Sequence, residues 1–342
     1  MPDQIDIESY LKACPLPTID VRSPGEFRQG HIPGATNIPV FDDQERAEIG
    51  TLYKQVGRAQ AMVRGMELVG AKAGTLLQSI SDSMDGTNCA VHCWRGGMRS
   101  QGFAWLMKGC EFSPQRIDGG YKAFRQAAHQ CFAEPRKIVL LAGATGSGKT
   151  RLLGTLREAG QQVIDLEQLA CHRGSAFGGI GQPDQPPVEQ FENELFLQWR
   201  ELDADRIVWL ECESQGIGQV FIPDPVWKQM LASPAVFVEV DIQPRIEFLV
   251  QEYGSLPSEE LAVAITKIKK RLGGAGLQTA LAALGKNDMH AFAEIALRYY
   301  DKAYSRALDK NPFARSATIR LETAGHIESL QALISSAERL TS

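Results

Sequence analysis

Two short stretches combine residue types at spacings that chemistry uses. In VHCWRGGMRS (91–100), Cys93 is followed by five residues and then Arg99. A strand runs into this stretch and a helix leaves it, so the backbone N–H groups of Trp94, Arg95, Gly96, Gly97 and Met98 can point at one centre. The positive end of the helix reinforces them. Cys93 sits at that centre, where the field favours thiolate over thiol, and it is expected to act as a nucleophile. Gly96 and Gly97 permit the tight fold, and Arg99 can fork onto a tetrahedral oxyanion. His92 and Ser100 are expected to support the loop. A buried structural cysteine, the role expected of Cys14, Cys110 and Cys131, does not need two glycines and two arginines after it.

The second stretch is GATGSGKT (143–150), an intact Gly-x4-Gly-Lys-Thr phosphate-binding loop between the apolar strand KIVLLAG and a helix. The backbone of Gly143, Gly146, Ser147 and Gly148 would cradle a di- or triphosphate. Lys149 would neutralise its terminal phosphate, and Thr150 would hold Mg²⁺ if a metal takes part. The acidic partner for such a metal is less plain. Asp165 ends the strand candidate QQVID and Glu211 ends RIVWLE, and neither shows an apolar run capped by an acidic pair. Binding of a diphosphate without nucleotide hydrolysis therefore fits the pattern. Arg173, in the Gly-rich CHRGSAFGG (171–179), is a further candidate contact to phosphate or substrate.

Both loops need a parallel sheet behind them. TIDV (18–21), NCAVHC (88–93) and RIDGGY alternate with helical segments in the first part of the chain, and residues 42–82 are mainly helical in pattern. This βα alternation implies an α/β fold with a covered parallel sheet. A break at AEPRK (133–137) predicts one domain over 1–132 and a second, α/β domain over 136–342 whose pattern is mostly helical from about 255. At 342 residues, two domains are the natural division.

Composition bounds what these domains do. A hydrophobic fraction of 44% and a charged fraction of 23% are those of a soluble globular protein. The acidic start MPDQIDIESY argues against a secretory signal, and IVLLAGA is far shorter than the ~20 residues of a membrane span. The seven scattered cysteines form no Cys-x-x-Cys pair, which points away from zinc and disulfides and towards a reducing cytoplasm. With a net charge of −5, any contact with RNA needs a local basic patch. Two are present: Lys269, Lys270 and Arg271 in KIKKR, and Arg298, Lys302 and Arg306 at every fourth residue of a helix that ends before Pro312. Tyr299, Tyr300 and Tyr304 are interleaved with the second, as suits stacking on unpaired bases.

DVRSPGEFRQGHIPGATNIP (20–39) resembles the opening signature of rhodanese-like domains, in which Asp20 and Arg22 form an ion pair and His31, Gly34 and Pro39 shape turns. Sulfur-transferring members commonly have a cysteine loop one residue shorter. The longer loop here resembles that of cysteine-dependent phosphatases and should admit a larger tetrahedral anion. A rhodanese-like domain followed by a P-loop domain, with ACHRGSAFGG and LECESQGIG, resembles the tRNA 2-selenouridine synthase family over nearly the whole chain. The resemblance implies a cytoplasmic transferase acting on the wobble 2-thiouridine of tRNAs for lysine, glutamate and glutamine. It implies selenophosphate and geranyl diphosphate as substrates and a protein that supplies selenophosphate. It also implies no tightly bound cofactor and no membrane. S-Geranyl-2-thiouridine would be the intermediate. The P-loop would grip the prenyl diphosphate, and the Cys93 loop would bind selenophosphate, with Cys93 taking selenium as a perselenide or orienting the donor. Competing readings are a cysteine-dependent phosphatase, a sulfurtransferase with a nucleotide-binding P-loop domain, a P-loop kinase fused to a sulfur carrier, and a non-enzymatic binding module.

Overall fold

The computed structural model describes residues 3–12, 16–310, 316–325 and 330–341, with backbone alone for 303 and 305–310; Cys14 lies outside the described residues. The chain divides into two compact units, residues 1–131 with 187–194, and residues 132–186 with 195–342.

In the first unit, β1 (Asp3–Ile5), β2 (Thr18–Asp20), β3 (Thr36–Asn37), β4 (Asn88–His92) and β5 (Ser113–Ile117) form one parallel sheet in the order β1-β5-β4-β2-β3. The middle strand β4 pairs Val91 with Ile19 of β2 on one side and with Arg116 of β5 on the other. Cys89 through His92 are all buried. A strand in the middle of a parallel sheet is covered on both faces, so it is a continuous apolar run and not an alternation. The helix Pro24–Gln29 begins with proline and a capping box in which Glu26 reaches back to the backbone N–H of Ser23. Asp42 and Glu45 make the same device for the helix Asp43–Gln55, which is followed by the long helix Arg58–Ser83. Ile19, Val91, Phe103, Met107 and Ile80 close the core of this unit.

The second unit carries β6 (Lys137–Gly143), β7 (Gln162–Ile164), β8 (Ile207–Glu211), a short antiparallel pair β9 (Gly216–Ile217) and β10 (Val220–Phe221), then β11 (Ala235–Val240) and β12 (Ser316–Leu321). Its main sheet is parallel, in the order β12-β11-β6-β8-β7, with Leu141, Leu156, Trp209, Val236 and Leu333 in its core. The helices Ser258–Lys267, Gly274–Gly285 and Met289–Lys310 gather a separate cluster around Phe177, Ile265 and Phe292. The region beyond 255 is therefore mostly helical, with β12 as a strand at the sheet edge. Only Leu321 of β12 is fully buried.

Residues 187–194 close the first unit from far along the chain. Tyr121 Oη donates to Glu189 and accepts from Asn193, while Gln190 and Asn193 bond the backbone of His31. Arg125 pairs with Glu192 and donates to Asn193.

Candidate functional site

The cysteine loop leaves β4 at His92 and enters the helix Met98–Lys108. Its carbonyls are drawn outward. Cys93 O and Trp94 O accept from Tyr121 N and Lys122 N at 2.9 Å, and Arg116 donates to Gly96 O. Gly96 turns the loop at φ +62°. Gly120 lies against it so closely that an added Cβ would stand 2.3 Å from Cys93 O and 2.4 Å from Gly96 N. Three of the loop's carbonyls are thus committed to groups outside it. Cys93 lies at the base of the loop, 3% exposed, with Sγ 3.3 Å from Ser100 Oγ. Ser100 in turn donates to Gly97 O, so it ties Cys93 to the loop. Trp94, Arg95, Gly97 and Met98 are exposed around the rim.

Beneath the loop is a buried charged layer. Arg22 clasps Asp20 with both Nε and Nη2, donates to Gly30 O, and lies 3.8 Å over the Tyr121 ring. Burial alone would raise the Asp20 carboxyl, but His92 beside it and the hydrogen bonds and charge of Arg22 hold it below the usual carboxylate range. Burial pushes the His92 imidazole down, against the pull of Asp20 at 3.7 Å, so His92 stays neutral. His31 stacks on Phe27 and bonds Phe27 O, the structural position expected of it.

Arg99 is placed differently from the sequence expectation. Its guanidinium is bidentate on Glu26, at 2.6 and 3.2 Å, and does not turn towards the loop. Glu26 also pairs with Arg46. An anion in the loop would therefore compete with Glu26 for Arg99. Glu26 lies in the stretch DVRSPGEFRQGHIPGATNIP, and nothing near it in sequence announces its pairing with Arg99, 73 residues on.

In the second unit, β6 runs into residues 144–148 and the helix Lys149–Glu158. Gly148 has φ +80°, and a Cβ there would meet the backbone N of Gly325 at 2.4 Å. Lys149 Nζ donates to Gly143 O, while Ser147 Oγ is buried without a partner. Four carboxyl groups gather nearby. Thr150 Oγ1 is 3.5 Å from Glu167, and burial together with Glu213 pushes Glu167 up to about 8, against the pull of Lys149. Burial and Asp165 push Glu211 well above the usual carboxylate range. Glu211 Oε2 accepts from Leu166 N and its Oε1 has no partner, while Asp165 caps the helix Leu166–Leu169. Among the described residues no group of three or more His, Cys, Asp or Glu is placed to hold a metal ion.

Residues 4–127 match the model of the rhodanese-like domain, and residues 136–337 match that of the tRNA 2-selenouridine synthase AAA domain. The tRNA 2-selenouridine synthase of Chromohalobacter salexigens is 34% identical over 87% of this chain and 89% of its own length. The chain belongs to the tRNA 2-selenouridine synthase family. The synthase of Cupriavidus necator is 35% identical over 89% of this chain and 91% of its own, and that of Nitrosomonas europaea is 37% identical over 73% of this chain. The matched region spans 66% of the Nitrosomonas europaea protein.

For a member of the tRNA 2-selenouridine synthase family, the remaining candidates are distributed as follows. Lys269, Lys270 and Arg271 are exposed on a short helix of their own. Arg298 is exposed and pairs with Glu294 one turn away, and Lys302 is exposed; the side chain of Arg306 lies outside the described residues. Tyr300 is half-buried. It packs against Phe177 inside the helical cluster, and its hydroxyl accepts from Ala176 N. Arg173 pairs with Glu252 at 3.2 Å and lies over Tyr253. Cys110, expected in the core, is exposed beyond the helix Met98–Lys108, while Cys131 is half-buried. Among the described residues no helix is long and apolar enough to cross a membrane.

Proposed function

We propose that this protein replaces the sulfur of wobble 2-thiouridine by selenium in tRNAs for lysine, glutamate and glutamine, in two steps served by the two loops. The observation that carries this reading is the presence, in one chain of this family, of two strand–loop–helix turns of anion-binding sequence on separate parallel sheets. One is headed by Cys93 and the other by Lys149.

In the first step the P-loop holds geranyl diphosphate through its backbone N–H groups and Lys149. The thiocarbonyl sulfur attacks C1 of the prenyl chain, the C1–O bond breaks and diphosphate leaves, and the departing diphosphate takes up the N3 proton of the base. Glu167, protonated at neutral pH, can donate to a phosphate oxygen where an ionised carboxylate would repel it. Thr150 is the group that would hold a Mg²⁺ arriving with the diphosphate, whose charge the ion would screen.

Alkylation turns a poor leaving group into a thiolate. In the second step the Cys93 loop holds selenophosphate by its phosphate. Selenium attacks C2, the C2–S bond breaks, and the geranyl thiolate departs and takes up a proton. Water then cleaves the Se–P bond to release phosphate, and N3 regains its proton. Selenium is already reduced in selenophosphate, so this route needs no oxidant. A perselenide on Cys93 would need an electron acceptor or would expel phosphorus as phosphite, so the electron balance favours a loop that orients the donor.

The test is nucleoside mass spectrometry on 2-thiouridine tRNA incubated with the protein, geranyl diphosphate and selenophosphate, each small molecule omitted in turn. Geranylated nucleoside with the diphosphate alone, converted to 2-selenouridine by selenophosphate, is expected. Lys149→Ala should stop the first conversion and Cys93→Ser the second. Unchanged 2-thiouridine from folded protein would overturn the assignment.

A further inference from the structure

The first unit holds a cavity that the two anion loops do not explain. It has a volume of about 420 Å³ and lies among the helices Asp43–Gln55, Arg58–Ser83 and Met98–Lys108. This is within the ~300–1,000 Å³ of small-molecule sites. Its lining is almost wholly apolar: Phe41, Ile49, Met66, Val69 and Trp105 are representative, and of all the lining residues only Arg99 is charged. Met66 and Trp105 are 68% and 74% exposed at the rim, large apolar surfaces of the kind that mark a binding site. Methionine lining adapts to a flexible occupant better than branched side chains do.

The position of the cavity narrows what it can take. Met98 and Arg99 line it and also belong to the cysteine loop, so cavity and anion cradle share a wall. An occupant that spanned both would have an apolar body in the cavity and a polar, reacting end at the loop. An amphipathic helix from another protein would give Arg99 and the loop nothing to act on. A linear hydrocarbon joined to a reacting group would.

We propose that this cavity receives the ten-carbon chain of the S-geranyl nucleoside during selenation. The inference rests on the prenylated intermediate proposed above and adds a second prenyl site, in a different unit from the diphosphate loop. With the chain in the cavity, the carbon–sulfur bond lies at the loop edge. When selenium bonds to C2 and the C2–S bond breaks, the electron pair stays on sulfur, which takes up a proton, and the product geranylthiol is already out of water. The cavity thereby makes selenation selective for prenylated over short-chain S-alkyl tRNA.

Two measurements on the full-length protein test this. Gly102 lines the cavity and nothing lies within 4 Å of an added Cβ, so Gly102→Phe is the substitution that places bulk at the cavity wall. In single-turnover selenation with selenophosphate, the unmodified protein should prefer S-geranyl over S-methyl-2-thiouridine tRNA by about tenfold or more. Gly102→Phe should abolish that preference while S-methyl substrate reacts within about threefold of the unmodified rate. Separately, a diazirine analogue of geranylthiol should label peptides from 58–83 and 98–108, and excess geranylthiol or Gly102→Phe should suppress the labelling. Specific labelling of these peptides without turnover of S-geranyl tRNA would uphold the cavity and overturn the selenation reading. Turnover with equal S-geranyl and S-methyl rates, and labelling elsewhere, would uphold the function and overturn the cavity.

Discussion

Gly120 gives the sharpest test of how the cysteine loop is held. Its φ is +59°, and a Cβ would stand 2.3 Å from Cys93 O, 2.4 Å from Gly96 N and 3.1 Å from the carbonyl carbon of Arg95. All three are backbone atoms, so no flexible side chain can yield. In Gly120→Ala the left-handed conformation costs about 1–2 kcal/mol. Relieving the contacts requires the loop and the helix Gly120–Ala133 to part, which breaks the bonds from Tyr121 N and Lys122 N to Cys93 O and Trp94 O. Each of those contributes about 1 kcal/mol. The sum is about 3 kcal/mol or more, which lowers the unfolding midpoint of a unit of this size by about 6–12 °C. Local opening should become about 100-fold more frequent, and amide hydrogen exchange at Tyr121 and Lys122 reads this directly. Gly97→Ala is the control: φ is −90° and nothing lies within 4 Å of the added atom, so its melting should stay within about 1 °C of the parent. If Gly120→Ala exchanges and melts like Gly97→Ala, the loop is not braced by this contact and the account of its geometry fails.

Asp20→Asn leaves the fully buried Arg22 guanidinium without its counter-charge and should cost about 3–5 kcal/mol in denaturant unfolding. Because the Asp20 carboxyl is held low in the folded state, its contribution is present above about pH 4 and is lost as pH falls through the lower folded value; Asn at this position should flatten that acid limb. Glu26→Gln keeps the capping geometry but loosens Arg99, so inorganic phosphate or thiophosphate should bind the cysteine loop about tenfold more tightly by calorimetry. Unchanged affinity would mean that Arg99 serves the pair alone. Glu167 carries its proton below about 8, so metal-free pyrophosphate should bind the P-loop more weakly as pH rises through that value. Glu167→Gln should remove the dependence, and an identical pH profile in both proteins would refute it.

The motifs that were legible are those whose meaning is local. GATGSGKT declares a strand, a turn and a helix within eight residues, and the structure places it between β6 and the helix Lys149–Glu158. VHCWRGGMRS does the same in the first unit, and Asp20 and Arg22 are close enough in sequence for their pairing to be anticipated. What escaped was set by partners far along the chain. Glu26 lies 73 residues from Arg99, and nothing near either residue names the other. Tyr300 was legible only in part: its place among lysines and arginines was visible, but its contact with Phe177, more than a hundred residues earlier, was not. β12 escaped because an edge strand buries little and its pattern is weak beside the helices around it.

The segment 187–194 has a consequence for how the protein is made. Tyr121, whose ring lies under Arg22 and whose N–H holds Cys93 O, finds its hydroxyl partner Glu189 only 68 residues later. At ~5–20 residues per second of synthesis, the floor of the cysteine loop stays incomplete for several seconds after residue 131 is made. During that interval the ribosome builds β6, the P-loop and β7. An early-folding amino-terminal domain therefore waits for a strap encoded inside its neighbour. A gene cut at residue 132 would yield a fragment whose Tyr121 and Arg125 lack the groups that close over them.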